Sequence, residues 1–200
     1  CSEPSRLKAV KSRYGLIEPF LLFVGDITSR KNISGIIRAF SAAREKHPAL
    51  RMTLAGHCNK RMARYVTATA AEAGVAGQLN LPGYIAPDDL AAIYSLAALL
   101  VFPSHDEGFG LPPLEAMNCG CPVVCARGQV AAMHGPAVTA CDADDPASIA
   151  DACCRLLEDP RYREAQIRAG SQHAATFSWK TAAAALETLY RDILKKSGSL

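Results

Sequence analysis

The sequence predicts an α/β fold: a doubly wound parallel sheet with additional helices at its C-terminal end. Three observations predict it. Short apolar runs, typical of strands buried on both faces, alternate with amphipathic stretches of helical periodicity. Several of these runs end at a glycine, and beyond residue 146 only helical patterns remain. Because short buried strands that alternate with helices form parallel sheets with right-handed crossovers, this order defines the fold class.

The first strand and the helix after it show both patterns. FLLFVG at 20–25 is an apolar run ending in glycine, as expected of a strand buried on both faces. The helix predicted at 32–47 follows, and Asn32 or Ser34 could cap its start because either side chain can accept a backbone hydrogen bond. Pro48 follows its end. Four of its apolar residues share one helical stripe: Ile33, Ile36, Ile37 and Phe40.

The same alternation continues along the chain. Further strands are predicted at 51–56, 78–83, 98–104 and 121–126, with a sixth at 137–141. Helices are predicted between them at 60–73, 86–97 and 111–120, and then at 146–158, 160–174 and 178–195. We interpret residues 1–200 as a single domain with an α/β core over about 19–175 and a C-terminal helix over 176–200.

Composition and charge exclude several classes of protein. Half of the 200 residues are hydrophobic and a fifth are charged, which is ordinary for a soluble globular chain. The formal net charge of +3 is too small to indicate a nucleic-acid-binding protein. The longest apolar run, LAALLVF at 96–102, is too short to span a bilayer.

The eight cysteines do not form a recognisable disulfide or zinc framework. Cys119, Cys121 and Cys125 fall in or beside a predicted strand, Cys153 and Cys154 fall on a predicted helix, and no pair of CxxC knuckles is present. We interpret them as reduced core thiols of a cytoplasmic protein. The start, CSEPSRLKAV, resembles no signal peptide and lacks a Met, so we expect a piece of a longer protein.

In such a sheet, ligands bind beyond the carboxyl ends of the strands, so the strand-to-helix loops are the candidate sites. The first loop, GDITSRKN at 25–32, presents Arg30 and Lys31 immediately before a helix. Two cations beside a helix start form a candidate site for phosphate or diphosphate. The loop is neither a Walker A nor a GxGxxG sequence, and taken alone the pair is better explained as a solvated surface pair.

The loop after the fourth strand carries the second candidate group. PSHDEGFGLPPLEAM at 103–117 contains Glu107 on the loop and Glu115 early in the following helix. Gly108 and Gly110 allow a positive φ and close approach of the backbone to a ligand. Both carboxylates could reach one cavity and accept hydrogen bonds from sugar hydroxyls. Two alternatives remain open: a helix-dipole role for Glu115 with a solvated Glu107, and a glycosidase-like acid/base pair.

Three other features give weaker signals. His57, at the end of the second strand, is more simply explained as a structural histidine, and Lys60 as a surface lysine. DAD at 142–144 resembles a metal-binding DxD motif, but Asp145 can start a helix there, which favours a capping loop. We therefore predict no metal site.

Taken together, the motifs resemble the C-terminal domain of retaining glycosyltransferases with the GT-B fold, of the large family 4. The resemblance covers about residues 19–195 and preserves the order and spacing of the motifs. EGFGLPPLEAM is the most specific of them. It is supported by VGDITSRKN, by LPGYIAPDDLAAIYSLAALLVFPS, by DADDPASIADACCRLLEDP and by FSW. The pattern is most similar to bacterial mannosyltransferases of surface polysaccharide assembly.

The resemblance implies roles for particular residues. Arg30 and Lys31 match the basic pair that binds the donor diphosphate and stabilises the leaving group in place of a metal ion. Glu107 matches the first acid of the Glu-x7-Glu motif, which contacts the donor sugar, and Glu115 matches the second, which holds the ribose hydroxyls. The implied catalytic residues are Arg30, Lys31 and Glu107. Further donor contacts would come from the end of the first strand and from the glycine-rich loop: Gly25, Gly108, Phe109, Gly110 and Leu111.

The implied function is transfer of a hexose, such as mannose, from a GDP- or UDP-linked donor to a glycan or lipid-linked acceptor. No cofactor or metal is expected, and the expected partners are the nucleotide-sugar and an N-terminal domain that these 200 residues lack. Without that domain, the isolated chain is expected to be inactive. We expect a cytoplasmic location, with any peripheral membrane contact made through the missing half. QVAAMHG at 129–135 departs from the Pro-Glu pair common in the family, so the resemblance implies no donor contacts from that loop.

Two alternative functions remain. One is a nucleotide-sugar epimerase or a phosphorylase of the same fold. The other is a non-catalytic module that binds a sugar nucleotide.

Overall fold

The computed structural model describes residues 3–197, and all of their side chains except those of Gln129 and residues 195–197. The ends of the expected 1–200 domain, including Cys1 and the last residues of the 176–200 helix, lie outside the described residues. A single six-stranded parallel sheet in the order β3-β2-β1-β4-β5-β6 forms the centre of the fold. Its strands are β1 Phe20–Val24, β2 Arg51–Ala55, β3 Leu79–Gly83, β4 Leu99–Phe102, β5 Val123–Ala126 and β6 Thr139–Cys141. The predicted doubly wound sheet is confirmed.

Helices cover the sheet and extend beyond it. They are α1 Pro4–Arg13, α2 Ile33–Lys46, α3 Lys60–Glu72, α4 Pro87–Leu96, α5 Leu111–Asn118, α6 Gln129–His134, α7 Pro146–Glu158, α8 Pro160–Ala174 and α9 Trp179–Ser197. Every strand and helix predicted from the sequence is present, with small differences at the ends. Among the described α-helices, α1 and α6 were not predicted.

The centre of the sheet defines where a ligand can bind. β1 pairs with β2 on one side and with β4 on the other, so the strand order reverses between β1 and β4. In open parallel sheets the loops on either side of such a reversal diverge and leave a crevice at the carboxyl ends of the strands. The loop after β1 and the loop after β4, which carry the candidate site residues, therefore flank that crevice.

Two glycines allow the ends of β1 and β2 to approach each other. Gly25 has φ +144° and its N–H donates to Ala55 O at 3.0 Å. Gly56 has φ +143°, and a Cβ atom placed there would lie 1.9 Å from Gly25 O. No side chain fits in that space, so glycine is required at position 56 by both packing and backbone conformation.

Local capping agrees with the predictions. Asn32, with φ +54°, caps α2, since its Oδ1 accepts from Gly35 N at 3.2 Å. Its Nδ2 also donates to Ala143 O at 2.6 Å, which ties the start of α2 to the loop after β6. In that loop Asp145 caps α7 by accepting from Ala147 N at 2.9 Å, so the DAD segment leads into a helix cap as expected.

Helix α1 extends the packed core before the predicted boundary at residue 19. It packs against α4 and buries Val10, while Leu16 is buried just after it. Asp89, at the start of α4, accepts from Arg13 Nη1 at 2.6 Å and from Tyr14 Oη at 2.9 Å. These hydrogen bonds, the one from Tyr14 first, lower the pKa of the Asp89 carboxyl. An ionised acid therefore joins α1 to α4.

Helix α9 is exposed along the whole part whose side chains are described. Large apolar residues of this helix recur at helical spacing and are each at least 48% exposed: Leu186, Leu189, Tyr190, Ile193 and Leu194. Within residues 3–197, no helix is long and apolar enough to cross a membrane.

The cysteines within residues 3–197 are free thiols, as predicted. Cys121, Cys125, Cys141, Cys153 and Cys154 are buried. Burial raises the pKa of the Cys121 thiol to about 12, so it is neutral at ordinary pH. Buried, protonated thiols behave as small core residues.

Candidate functional site

The loops after β1 and β4 touch across the reversal point of the sheet. The N–H of His105 donates to Arg30 O at 3.1 Å. The Lys31 ammonium donates to Glu107 Oε1 and forms an ion pair with it. Two residues that lie 76 positions apart in sequence are therefore brought together, as the topology of a parallel sheet predicts.

The Lys31–Glu107 pair is largely shielded from solvent. Each side chain is 14% exposed, and the Lys31 Nζ lies 5.3 Å from the centroid of the Phe102 ring at the end of β4. The cation thus has both a carboxylate and an aromatic face beside it. Arg30, next to Lys31, is exposed, and its guanidinium makes no ion pair with any side chain that the structure describes. Glu107 therefore neutralises Lys31, whereas Arg30 on the same loop is open to solvent, where an anion can approach it.

Glu115 is held by a residue that the sequence did not single out. Its Oε2 accepts a hydrogen bond from the Tyr94 hydroxyl at 2.8 Å. Tyr94 lies on α4 and is 1% exposed, whereas Glu115 lies on α5 and is exposed. Burial, followed by the charge of Glu115, raises the pKa of the Tyr94 phenol, so the hydroxyl keeps its proton and acts as a donor.

The glycine-rich loop differs in one detail from the sequence expectation. Gly110 has φ +80° and is the N-cap residue of α5, and a Cβ at this position would lie 3.1 Å from Val130. Gly108 does not have a positive φ, so its backbone does not use the conformation that glycine allows there. Pro112 and Pro113 have no N–H, so the Leu111 amide is the backbone donor at the first position of α5.

The structure does not place Glu107 and Glu115 in the same cavity. Glu107 lines a small cavity of about 50 Å³, together with Arg127. Glu115 lines a mostly apolar cavity of about 470 Å³, together with Phe109, Leu111 and residues at the start of α9. Each carboxylate has a hydrogen-bond donor of its own, Lys31 for one and Tyr94 for the other. This arrangement suits two separate acceptors rather than an acid/base pair.

A cluster of aromatic and histidine side chains packs against the glycine-rich loop. His134, at the end of α6, is 1% exposed, and its Nδ1 lies 3.0 Å from His173 Nε2 on α8. Phe109 contacts His134 edge-on at 6.2 Å and Phe177 at 5.5 Å between ring centroids. Burial, followed by the charge of His173, lowers the pKa of His134, so the neutral form is favoured. The cluster connects the loop to α8 and the segment before α9.

Arg127 is a further cation at this edge of the sheet that the sequence analysis missed. It is exposed, immediately follows β5, and its N–H donates to Cys141 O at 2.7 Å. Arg127 directly follows a predicted strand. The rule that selected Arg30 and Lys31, that ligands bind beyond the carboxyl ends of strands, could therefore have selected Arg127 as well. The QVAAMHG segment after it forms α6 and the turn that follows.

The remaining candidates lie apart from the pair. His57 is exposed and lines a cavity of about 300 Å³ with Leu81 and Tyr84, and Lys60 begins α3 as an exposed residue. A larger cavity of about 600 Å³ lies beside the first loop, lined in part by Ser29, Asn32 and His105.

Among the described residues, one group has side chains close enough together to hold a metal ion. The ligand atoms of His47, Cys154 and Glu158 lie within 4.8 Å of one another. His47 Nε2 lies 3.0 Å from a carboxylate oxygen of Glu158, while burial raises the pKa of the Cys154 thiol. His47 is the C-cap residue of α2, whose start lies at the crevice, so this group lies at the opposite edge of the sheet. A hydrogen bond between His47 and Glu158 beside a core thiol accounts for it.

Known proteins are similar to this chain in sequence and in fold. A family model described as glycosyl transferases group 1 matches residues 10–173. The chain is similar to the serotype-specific mannosyltransferase WbdA of Escherichia coli, with 34% identity over 200 residues that cover 93% of this chain and 23% of WbdA.

Two solved structures have the same fold. Sucrose-phosphate synthase from Thermosynechococcus elongatus superposes with a TM-score of 0.82 at 26% identity, covering 98% of this chain and 52% of that one. The C-terminal domain of LpcC, a glycosyl transferase group 1 family protein from Francisella tularensis, superposes with a TM-score of 0.73 at 22% identity. It covers 83% of this chain and 91% of that domain. The chain thus spans about half or less of the first two proteins and most of the third.

Proposed function

The chain belongs to the family of group 1 glycosyl transferases, and from this premise we propose that it is the donor-binding domain of a retaining GT-B glycosyltransferase. The complete enzyme transfers a hexose, such as mannose, from a nucleoside diphosphate sugar to a glycan or lipid-linked acceptor. The observation that carries the proposal is the Lys31–Glu107 ion pair at the reversal point of the sheet, with the exposed cation of Arg30 next to it in sequence. The crevice thus presents positive charge for a diphosphate and a carboxylate for sugar hydroxyls.

Fixed cations assist the departure of the nucleotide. When the bond between the anomeric carbon and the diphosphate oxygen breaks, negative charge develops on that oxygen. Arg30 and Lys31, with the Leu111 amide, stabilise this charge without a metal ion. Because Lys31 is already held by Glu107 and Phe102, it loses little conformational freedom when a donor binds.

The two carboxylates act as binding groups. Glu107 accepts from hydroxyls of the donor sugar and, through its ion pair, keeps Lys31 directed into the crevice. Glu115 accepts from the ribose hydroxyls. Both acids already have a donor partner, which supports binding roles over an acid/base pair. Gly25, Gly108, Phe109 and Gly110 supply backbone close to the donor.

A second domain completes the enzyme. The chain spans 23% of WbdA and 52% of the synthase, and the LpcC domain that it covers almost completely is a C-terminal one. We place acceptor binding, and any peripheral contact with the inner face of the cytoplasmic membrane, in an N-terminal half of a cytoplasmic protein. The alternatives, a nucleotide-sugar epimerase or phosphorylase and a non-catalytic module, are outcomes of the test below.

Turnover measurements test whether transfer requires the second domain. The 200-residue chain is incubated with GDP-mannose or UDP-glucose and a hydroxyl acceptor, with and without a protein that carries the N-terminal half. We expect nucleotide binding but no transfer by the chain alone. Transfer by these 200 residues alone would overturn the proposal. Release of free sugar or of an epimer without acceptor would favour the enzymatic alternatives, whereas binding with no turnover in either form would favour the non-catalytic one.

A further inference from the structure

The contact between α4 and α5 places a buried hydroxyl against an exposed acid. Tyr94 is 1% exposed, so its ring belongs to the core, whereas Glu115 lies on the surface. The hydroxyl donates to Glu115 Oε2 at 2.8 Å. The hydrogen bond thus fixes one oxygen of an acid whose side chain is exposed.

Fixing that oxygen changes what Glu115 can bind. An exposed glutamate loses conformational freedom when it orders around a ligand, which weakens binding. A carboxylate has about four lone-pair positions, and the tyrosine occupies one of them. The remaining positions can accept from two adjacent hydroxyls, as in a vicinal diol. Tyr94 therefore removes part of the ordering cost and leaves the acceptor capacity that a diol needs.

Other groups nearby do not replace this contact. Cys119 and Cys121, at the end of α5 and before β5, are close enough to influence the phenol, but burial keeps both thiols protonated. A neutral thiol is a weak hydrogen-bond donor and competes poorly for a carboxylate. The tyrosine hydroxyl is therefore the group that orients Glu115.

We propose that Tyr94 is a positioning residue that orients the Glu115 carboxylate toward the vicinal ribose hydroxyls of a bound nucleoside diphosphate. This inference rests on the proposed function, in which Glu115 binds the ribose. Tyr94 itself touches no substrate. A merely structural role, in which the hydrogen bond only satisfies a buried hydroxyl, would change stability but not the selectivity for the ribose.

The test compares ligands with and without the diol in one protein sample. Dissociation constants of UDP and GDP, and of their 2′,3′-dideoxy analogues, are measured by titration calorimetry for the wild-type chain and for Tyr94→Phe. We expect Tyr94→Phe to weaken binding of the better nucleotide roughly two- to tenfold, the ordering cost of one flexible side chain. Binding of its dideoxy analogue should stay unchanged. The ratio of the two constants does not depend on the fraction of folded protein.

Two variants serve as references. Tyr162→Phe removes a hydroxyl that lies 3.1 Å from Thr139 Oγ1, away from Glu115, and should leave both constants unchanged. Glu115→Ala should lose the preference for the ribose diol altogether.

The outcomes separate the inference from the proposed function. Equal weakening of both ligands by Tyr94→Phe, or no change in either, overturns the positioning role if Glu115→Ala does lose the diol preference. If Glu115→Ala keeps that preference, or if the wild-type chain binds neither nucleotide, the proposed role of Glu115 fails and the inference fails with it.

Discussion

Lys31 on the loop after β1 and Glu107 on the loop after β4 form an ion pair across the reversal point of the sheet. Each side chain is 14% exposed, so water screens the pair less than it screens an ion pair on an open surface. The pair joins a cation suited to phosphate with an acceptor suited to hydroxyls. A donor that carries both phosphates and hydroxyls fits such a site.

The first prediction concerns the charge of Lys31. Lys31→Ala should weaken binding of a nucleoside diphosphate roughly tenfold or more, because a charge-assisted hydrogen bond is lost and Glu107 is left without its counter-ion. Binding of the corresponding nucleoside, which has no phosphate, should change much less. Titration calorimetry with both ligands measures the difference.

Lys11→Ala is a matched control for this prediction. Lys11 also pairs with a glutamate, Glu18, at 2.7 Å, but it lies on α1 outside the crevice. Its replacement should leave both affinities unchanged. Equal loss of nucleoside and nucleoside diphosphate binding in Lys31→Ala would argue against a phosphate contact.

The second prediction concerns the approach of β1 and β2. Gly56→Ala should lower the free energy of unfolding by at least about 2 kcal/mol, since the new Cβ would meet Gly25 O at 1.9 Å and the residue has φ +143°. Gly77→Ala, where a Cβ meets nothing within 4 Å, should change it by less than about 0.5 kcal/mol. Urea denaturation of both variants measures the contrast. A similar loss of stability in both variants would contradict the close contact between position 56 and Gly25 O.

The third prediction concerns the buried histidine below the glycine-rich loop. The folded state lowers the pKa of His134, so between that value and its ordinary value of about 6.5 the unfolded chain binds a proton that the folded chain does not. The stability that His134 contributes is therefore fully present above pH 6.5 and is lost as the pH falls below it. Urea denaturation at pH 7, 6 and 5 should show this decline.

His134→Gln should flatten that pH dependence, whereas His57→Gln, at an exposed position, should not. His173 lies in hydrogen-bond contact with His134. The double variant His134→Gln with His173→Gln therefore shows whether both histidines contribute to the pH dependence of stability. An unchanged slope in His134→Gln would assign the pH dependence to other groups.

Sequence patterns predicted the elements whose signals are local. The run FLLFV gives β1 because every position of a strand buried on both faces is apolar, and Asn32 caps α2 through a backbone group three residues away. Helix α1 could not be predicted in this way. Its sequence, PSRLKAVKSR, is mostly polar and buries only Val10, and it is joined to α4 by contacts with Asp89, which is distant in sequence.

The candidate site was predicted to a similar extent. The rule that ligands bind beyond the carboxyl ends of parallel strands brought Lys31 and Glu107 to one edge, and the structure pairs them. Tyr94 could not be predicted, because an apolar helix segment such as LAAIYSLA reads as core, and the partner of a tyrosine hydroxyl depends on how α4 packs against α5. The separate cavities of Glu107 and Glu115 likewise follow from the path of the loop rather than from spacing.

The proposed function requires this domain to bind a nucleoside diphosphate with Glu115 on its ribose. Titration calorimetry of UDP and GDP against the wild-type chain, Glu115→Ala and the surface control Glu187→Ala measures this binding. We predict that the wild type and Glu187→Ala bind one of the two nucleotides equally well, and that Glu115→Ala binds it roughly tenfold more weakly. Failure of the wild type to bind either nucleotide, or an affinity that Glu115→Ala leaves unchanged, would show that this domain does not bind the donor in the proposed way.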